Sequence, residues 1–189
     1  MRHPILHETI RFMAQAHAGQ CDKSGMPYWM HPVRVMQRLR SVGTSVILHA
    51  ALLHDVVEDT EYGLSDLADR GYDQAVLDAV DLVSRYKNGR DRERSYLEWI
   101  RWIAEQGNMA AVLVKYADLI DNHAPGRLAT LPTEHRGIEG RQTRAIALLE
   151  PHIPRDVRDL ILAGDIDLDP LIATLGVLPD TKPIQQSVT

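Results

Sequence analysis

An all-α fold of about eight to ten helices is the class this chain predicts, on three observations. Apolar residues recur at three- and four-residue spacing along most of its length. No Asn-Gly or Asp-Gly turn joins two alternating segments, and strict apolar–polar alternation is rare. Helix start and stop residues bracket one apolar stripe after another.

The elements follow in order. Residues 5–18 place Ile5, Leu6, Ile10, Phe12, Met13 and Ala16 on one stripe. A second helix opens near His31-Pro32, where proline suits the first turn, and carries Val33, Val35, Met36 and Leu39 before Gly43. Thr44 or Ser45 caps a third helix, expected to run to about Glu58 with Val46, Ile47, Ala50, Leu53 and Val57 in the core. Further helices are expected at 64–70, 73–86 and 91–106, the last opened by Asp91 and closed by Gly107. Asn108 caps a helix over 109–122, and "HAPGRLATLPTEHRG" makes a loop. Residues 138–150 and 155–163 read as helices, and Asp169-Pro170 starts a short final one. Residues 1–178 are read as one domain and 179–189, with two nearby prolines and little to bury, as a flexible tail.

Composition narrows the function. The 189 residues are 44% hydrophobic and 25% charged, the balance of a globular domain. A formal charge of −5 implies no bulk attraction to nucleic acid or to an anionic membrane. The longest apolar run, Val46 to Leu53, contains His49 and is far short of the roughly 20 residues that span a bilayer. Charges and Pro4 break the N-terminal segment, so no signal peptide is expected there. A single cysteine, Cys21, fits a reducing cytoplasm.

The chemistry concentrates in "HDVVEDT", residues 54–60, directly after the apolar run "VILHAALL". At i,i+4 spacing His54 lies beside Glu58, and Asp55 beside Asp59. Acidic residues at a helix C-terminus oppose its dipole, so the cluster is either a solvated helix end or the holder of a cation. A second polar stripe, Lys115, Asp118 and Asn122, runs along the otherwise apolar helix 109–122. Taken alone, Asp118 reads as a cap or a lysine partner, and His31 as structural. Beside His54 and Asp55 both become candidate ligands. Two histidines and two aspartates form a mixed nitrogen–oxygen set that suits Mn²⁺ or another divalent transition metal better than Mg²⁺ or Ca²⁺. Without thiolates a closed structural zinc site is disfavoured. Glu58 and Asp59 are then free to act as base and water-orienting groups.

Three blocks carry a resemblance: "AHAGQCDKSGMPYWMHP" at 16–32, "AALLHDVVEDT" at 50–60 and "VKYADLIDN" at 114–122. Together they resemble the hydrolase domain of RelA/SpoT homologues, in the HD superfamily of metal-dependent phosphohydrolases, over about residues 5–150. The resemblance implies an HD-type helical bundle acting as a stand-alone small alarmone hydrolase. Its activity would be removal of the 3′-pyrophosphate of (p)ppGpp or (p)ppApp with Mn²⁺. It implies His31, His54, Asp55 and Asp118 as metal ligands and Glu58 and Asp59 as the pair that activates water. Lys23 and Ser24 match a nucleotide-contacting loop, and Asn122 a sugar contact.

Two positions depart from the family pattern. Asp22 stands where an arginine usually stacks on guanine, and a carboxylate offers no such face. "ADLIDN" replaces the "ADRLHN" of the long enzymes, which introduces Asp121. Phosphate binding needs cations, for which Lys115, Lys23, Arg85, Lys87, Arg90, Arg92, Arg141 and Arg144 are candidates. "SRYKNGRDRER" at 84–94 reads as a lid over the phosphates or as an exposed loop. The expected partner is a small nucleotide, in a cytoplasmic monomer or homodimer that binds neither nucleic acid nor membrane. Competing expectations are an HD phosphohydrolase of ordinary nucleotides and a non-catalytic nucleotide-binding or antitoxin-like module.

Overall fold

A computed structural model describes residues 3–23, 25–86, 94–124 and 137–164. Their α-helices are α1 (Leu6–Ala16), α2 (Met30–Arg38), α3 (Ser45–Leu53), α4 (Val56–Asp59), α5 (Leu64–Asp69), α6 (Gln74–Val83), α7 (Tyr96–Glu105) and α8 (Met109–Asn122). After these come α9 (Gly137–Leu149), a 3₁₀ turn (Glu150–His152) and α10 (Arg155–Ala163). The described residues contain no strand beyond a single bridge between Cys21 and Pro27, so the all-α expectation holds. The expected helix at Asp169-Pro170 and the tail 179–189 lie outside the described residues.

Side chains at the helix starts satisfy amide donors that a helix cannot bond internally. Thr44 Oγ1 accepts from the Ile47 amide, and Asn108 Oδ1 from Ala111 at 3.0 Å. At α7, Ser95 and Glu98 form a reciprocal capping box: the Ser95 amide donates to Glu98 at 2.7 Å, and the Glu98 amide donates to Ser95 Oγ. This box places the start of α7 at Tyr96. The opening expected at Asp91 is therefore corrected, and Asp91 itself lies outside the described residues.

α3 and α8 form the centre. α3 packs on α1, α2, α6 and α8, and α8 also meets α2, α6, α7 and α9. The core between them includes Ala50, Ala51, Leu52, Leu53, Val114, Ala117 and Leu119, with Trp99 and Ile100 from α7. No helix among the described residues is long and apolar enough to cross a membrane.

One expectation fails at an informative place. The third helix does not run unbroken to Glu58; it stops at Leu53, and His54-Asp55 make a turn before the single-turn α4. His54 Nδ1 bonds the Ala51 carbonyl at 2.8 Å, so a side chain takes an acceptor at the helix end. Both turn residues keep right-handed backbone angles, and α4 resumes at once. Beside the break, two adjacent side chains meet at 3.0 Å and join His31 in one cluster.

The crossing of α2 and α3 is tight around Gly43. A Cβ there would stand 2.7 Å from the Leu39 carbonyl oxygen and 2.8 Å from Leu48 Cδ2. Leu48 can shift but the backbone oxygen cannot, so Gly43→Ala should destabilise the protein by about 1–3 kcal/mol. Urea unfolding of the two proteins checks this, with the midpoint falling at unchanged slope.

Candidate metal centre

Three elements converge on one buried point. The first turn of α2 supplies His31, the α3–α4 turn supplies His54 and Asp55, and the middle of α8 supplies Asp118. His31 Nε2 lies 3.1 Å from Asp118 Oδ1 and 3.6 Å from Asp55 Oδ2. His54 Nε2 lies 3.0 Å from Asp55 Oδ2 and 3.8 Å from Asp118 Oδ1. The two imidazole rings meet edge-on, with centroids 5.2 Å apart. Donor atoms of His31, His54 and Asp55 all lie within 4.8 Å of one another.

Each ligand candidate is oriented from behind. His31 Nδ1 lies 2.9 Å from Asp121 Oδ2, an acceptor, so that nitrogen carries the proton. The Ala51 carbonyl fixes the His54 Nδ1 proton in the same way. Tyr28 donates its hydroxyl to Asp55 Oδ2 at 2.7 Å. Lys115 Nζ donates to Asp118 Oδ2 at 2.8 Å, and Asn122 donates to Asp118 Oδ1.

This arrangement suits a divalent transition metal on its own evidence. His54 Nε2 is buried and makes no aligned hydrogen bond among the described residues. The Asp55 carboxylate oxygen Oδ2 lies 3.0 Å from it, so an ion held by that carboxylate could also take this nitrogen as a ligand. Both Nε2 atoms face the same two carboxylates, while both Nδ1 protons are already placed, as in histidines that ligate metals. His31, His54, Asp55 and Asp118 are the residues that would hold such an ion.

Without an ion, the carboxylates and imidazoles neutralise each other. Burial opposes charge on His54, but Asp55 and Asp118 raise its pKa from 6.5 to about 9. His31 is likewise raised against burial by Asp118 and Asp121. Asp118 stays well below the usual carboxylate range because Lys115 and the two histidines outweigh its burial. Burial and the adjacent Asp55 charge push the Tyr28 hydroxyl up, so it remains a donor.

The remaining candidates spread around this cluster. Glu58 is partly buried, and its Oε2 accepts the Arg85 amide at 2.8 Å. Burial raises its pKa despite that bond. Asp59 is exposed, and its carbonyl accepts from Gln20 at 3.0 Å. Lys23 is exposed on the loop before α2, and Ser24 lies outside the described residues. Lys115 is buried and committed to Asp118, with Nζ 4.8 Å from the centre of the Trp99 ring. Arg85 donates to the Arg94 carbonyl at 2.7 Å, bracing the two ends of the expected lid. Lys87, Arg90 and Arg92 of that lid lie outside the described residues.

Sequence reasoning did not single out three side chains that support the cluster. Tyr28 holds Asp55 across 27 positions, and Arg34 sits against Asp121 across 87. Local spacing carries no sign of either pairing. The third is His17, buried against the Tyr28 ring with its Nδ1 2.9 Å from Gln20 Oε1. It lies inside a quoted block, but no spacing rule assigns it a partner.

An all-helical domain with an imidazole–carboxylate cluster set between its two central helices defines the class. A family profile described as "HD domain" matches residues 9–124, and the chain belongs to that family. Within it, the chain is 36% identical over 125 residues to guanosine-3′,5′-bis(diphosphate) 3′-pyrophosphohydrolase MESH1 of Danio rerio, covering 62% of this chain and 67% of that protein. It is 38% identical over 122 residues to the guanosine-3′,5′-bis(diphosphate) 3′-pyrophosphohydrolase of Vibrio cholerae, covering 62% of this chain and 17% of that protein. It is also 38% identical over 109 residues to a GTP pyrophosphokinase of Streptomyces coelicolor, covering 56% of this chain and 13% of that protein. The chain thus spans a small part of these two long relatives. A solved structure described as "A metazoan ortholog of SpoT hydrolyzes ppGpp and plays a role in starvation responses" superposes with a TM-score of 0.61 at 26% identity, covering 94% of this chain and 100% of that one.

The raised imidazoles make a pH prediction. Folded His31 and His54 hold protons more tightly than they do in the unfolded chain. The stabilisation from His54 is complete below pH 6.5 and is lost as pH rises through about 9, and His31 acts in the same direction. The metal-free protein should therefore lose stability across that window in urea titrations. Asp55→Asn, which removes His54's nearest counter-charge, should flatten the slope.

Proposed function

We propose that the chain is a divalent-metal-dependent alarmone 3′-pyrophosphohydrolase. It would convert (p)ppGpp or (p)ppApp to a nucleoside 5′-di- or triphosphate and pyrophosphate. The observation that carries this reading is the convergence of His31, His54, Asp55 and Asp118 beside a partly buried Glu58 held by the Arg85 amide. The similarity to proteins named for 3′-pyrophosphohydrolysis supports the substrate class.

A bound ion, for which Mn²⁺ is the choice, supplies Lewis acidity to the attacking water and to the phosphate charge. Glu58 accepts the proton of that water as its oxygen adds to the phosphorus joined to the 3′ oxygen. The bond between that phosphorus and the 3′ oxygen breaks, pyrophosphate leaves, and the 3′ oxygen takes up a proton to become the free hydroxyl. Its raised pKa suits it to hold that proton and pass it on. Asp59, at the rim, orients the water. Lys115 and Asn122 keep Asp118 in place through hydrogen bonds, and Asn122 also reaches the sugar. Lys23 and Ser24 border the nucleotide, leaving the base as guanine or adenine. Residues 1–178 act as one HD-type domain followed by a tail, in a cytoplasmic monomer or homodimer.

The test offers ppGpp, ppApp, GTP and dATP to Mn²⁺-loaded protein and separates the products. Pyrophosphate from either alarmone is the expected result. Triphosphate cleavage alone would replace the alarmone with ordinary nucleotides, and silence with every metal would leave a binding module. Asp118→Ala should abolish turnover and Mn²⁺ binding together. Glu58→Gln should keep the metal and lower kcat by about 10²-fold or more; an unchanged kcat would remove Glu58 from the mechanism.

A further inference from the structure

Behind the ligand candidates lies a second layer that the proposed reaction does not use. Asp121 is 1% exposed, one of the most buried carboxylates among the described residues. Its Oδ2 accepts from His31 Nδ1 at 2.9 Å. Arg34 Nε lies 3.0 Å from its Oδ1 and 3.2 Å from its Oδ2, and Arg38 Nε follows at 3.8 Å from Oδ1. A carboxylate this deep is unfavourable unless its hydrogen bonds are well met.

The pairing has a regular construction. On α2, His31 and Arg34 are three residues apart and share a face; on α8, Asp118 and Asp121 do the same. Each helix thus contributes one residue to the ligand layer and one to the layer behind it. The cross-links run His31 to Asp118, His31 to Asp121 and Arg34 to Asp121. Arg34 fixes the carboxylate, the carboxylate fixes the Nδ1 proton, and Nε2 is left facing Asp118 and Asp55.

We infer that Asp121, clamped by Arg34, is a positioning residue that sets the tautomer and ring orientation of His31 for metal binding. The inference rests on the metal reading above and assigns Asp121 no contact with substrate. A merely structural Asp121–Arg34 ion pair would hold α2 to α8 without affecting metal affinity beyond any loss of fold.

Calorimetric titration of the metal-free proteins with Mn²⁺ separates these. Asp121→Asn should lower affinity by about 10- to 100-fold, and Asp121→Glu should recover part of it by restoring the carboxylate. Adding Arg34→Met to Asp121→Asn should cost little more, because the clamp then has nothing to hold. Wild-type affinity in Asp121→Asn, with affinity lost in His31→Ala, would overturn the inference and leave the metal reading standing. Wild-type affinity in His31→Ala would overturn both. A measurement without substitutions covers the case in which Asp121→Asn fails to fold. In Zn²⁺-loaded wild-type protein, the ¹⁵N spectrum of His31 should show the proton on Nδ1 and the metal on Nε2. The reverse assignment would refute the role of Asp121.

Discussion

Everything near the centre of this protein answers to one constraint: several carboxylates lie inside a helical core and must be balanced there. An isolated buried carboxylate is unfavourable by many kcal/mol, so each needs a cation or several donors. Asp118 has Lys115, Asn122 and two imidazoles; Asp55 has Tyr28 and the same imidazoles; Asp121 has Arg34 and His31. Asp55 Oδ2 and Asp118 Oδ1, each already holding one donor, both face the two imidazole Nε2 atoms. Mutual repulsion there is relieved by protons on the histidines or by a metal ion in their place.

The helices are arranged to make this possible. α8 is the central rod, and its site residues at 115, 118, 121 and 122 fall within about two turns. Flanking Val114, Ala117 and Leu119 are buried, so hydrophobic packing on several sides holds the polar stripe rigid. α3 delivers the second half of the site by ending. An unbroken helix would separate neighbouring side chains by about 100°, whereas the turn after Leu53 brings His54 Nε2 and Asp55 Oδ2 within 3.0 Å. Burial of Leu52, Leu53 and Val56 on either side pins that turn in place.

This difference marks where the sequence was legible. The helices, the Thr44 and Asn108 caps and the residues that make up the cluster were readable, because periodicity and capping are local and an imidazole with carboxylates after an apolar run is conspicuous. The break at His54-Asp55 was not, since it depends on a side chain bonding the carbonyl three residues back. The α7 start was misplaced because Asp91 and Ser95 both suit a cap, and Glu98 decides for Ser95 through the reciprocal bond. Tyr28 and Arg34 were invisible for another reason. Each acts on a residue far along the chain, and only the packing of α2 against α3 and α8 brings them together.

Asp22 shows how a departure in sequence acquires a physical meaning. Its amide donates to the Met26 carbonyl, its carbonyl accepts from Gly25, and its Oδ1 accepts the Met26 amide at 3.0 Å. Gly25 supplies the positive φ that this turn requires. An arginine at position 22 has no acceptor on its side chain and cannot make the bond to Met26. The exchange therefore removes a stacking surface and adds a brace within the loop. The same loop ends at Tyr28, which holds Asp55, so its shape is tied mechanically to the ligand cluster. Under the proposed function, selectivity for the base would then fall to groups other than residue 22.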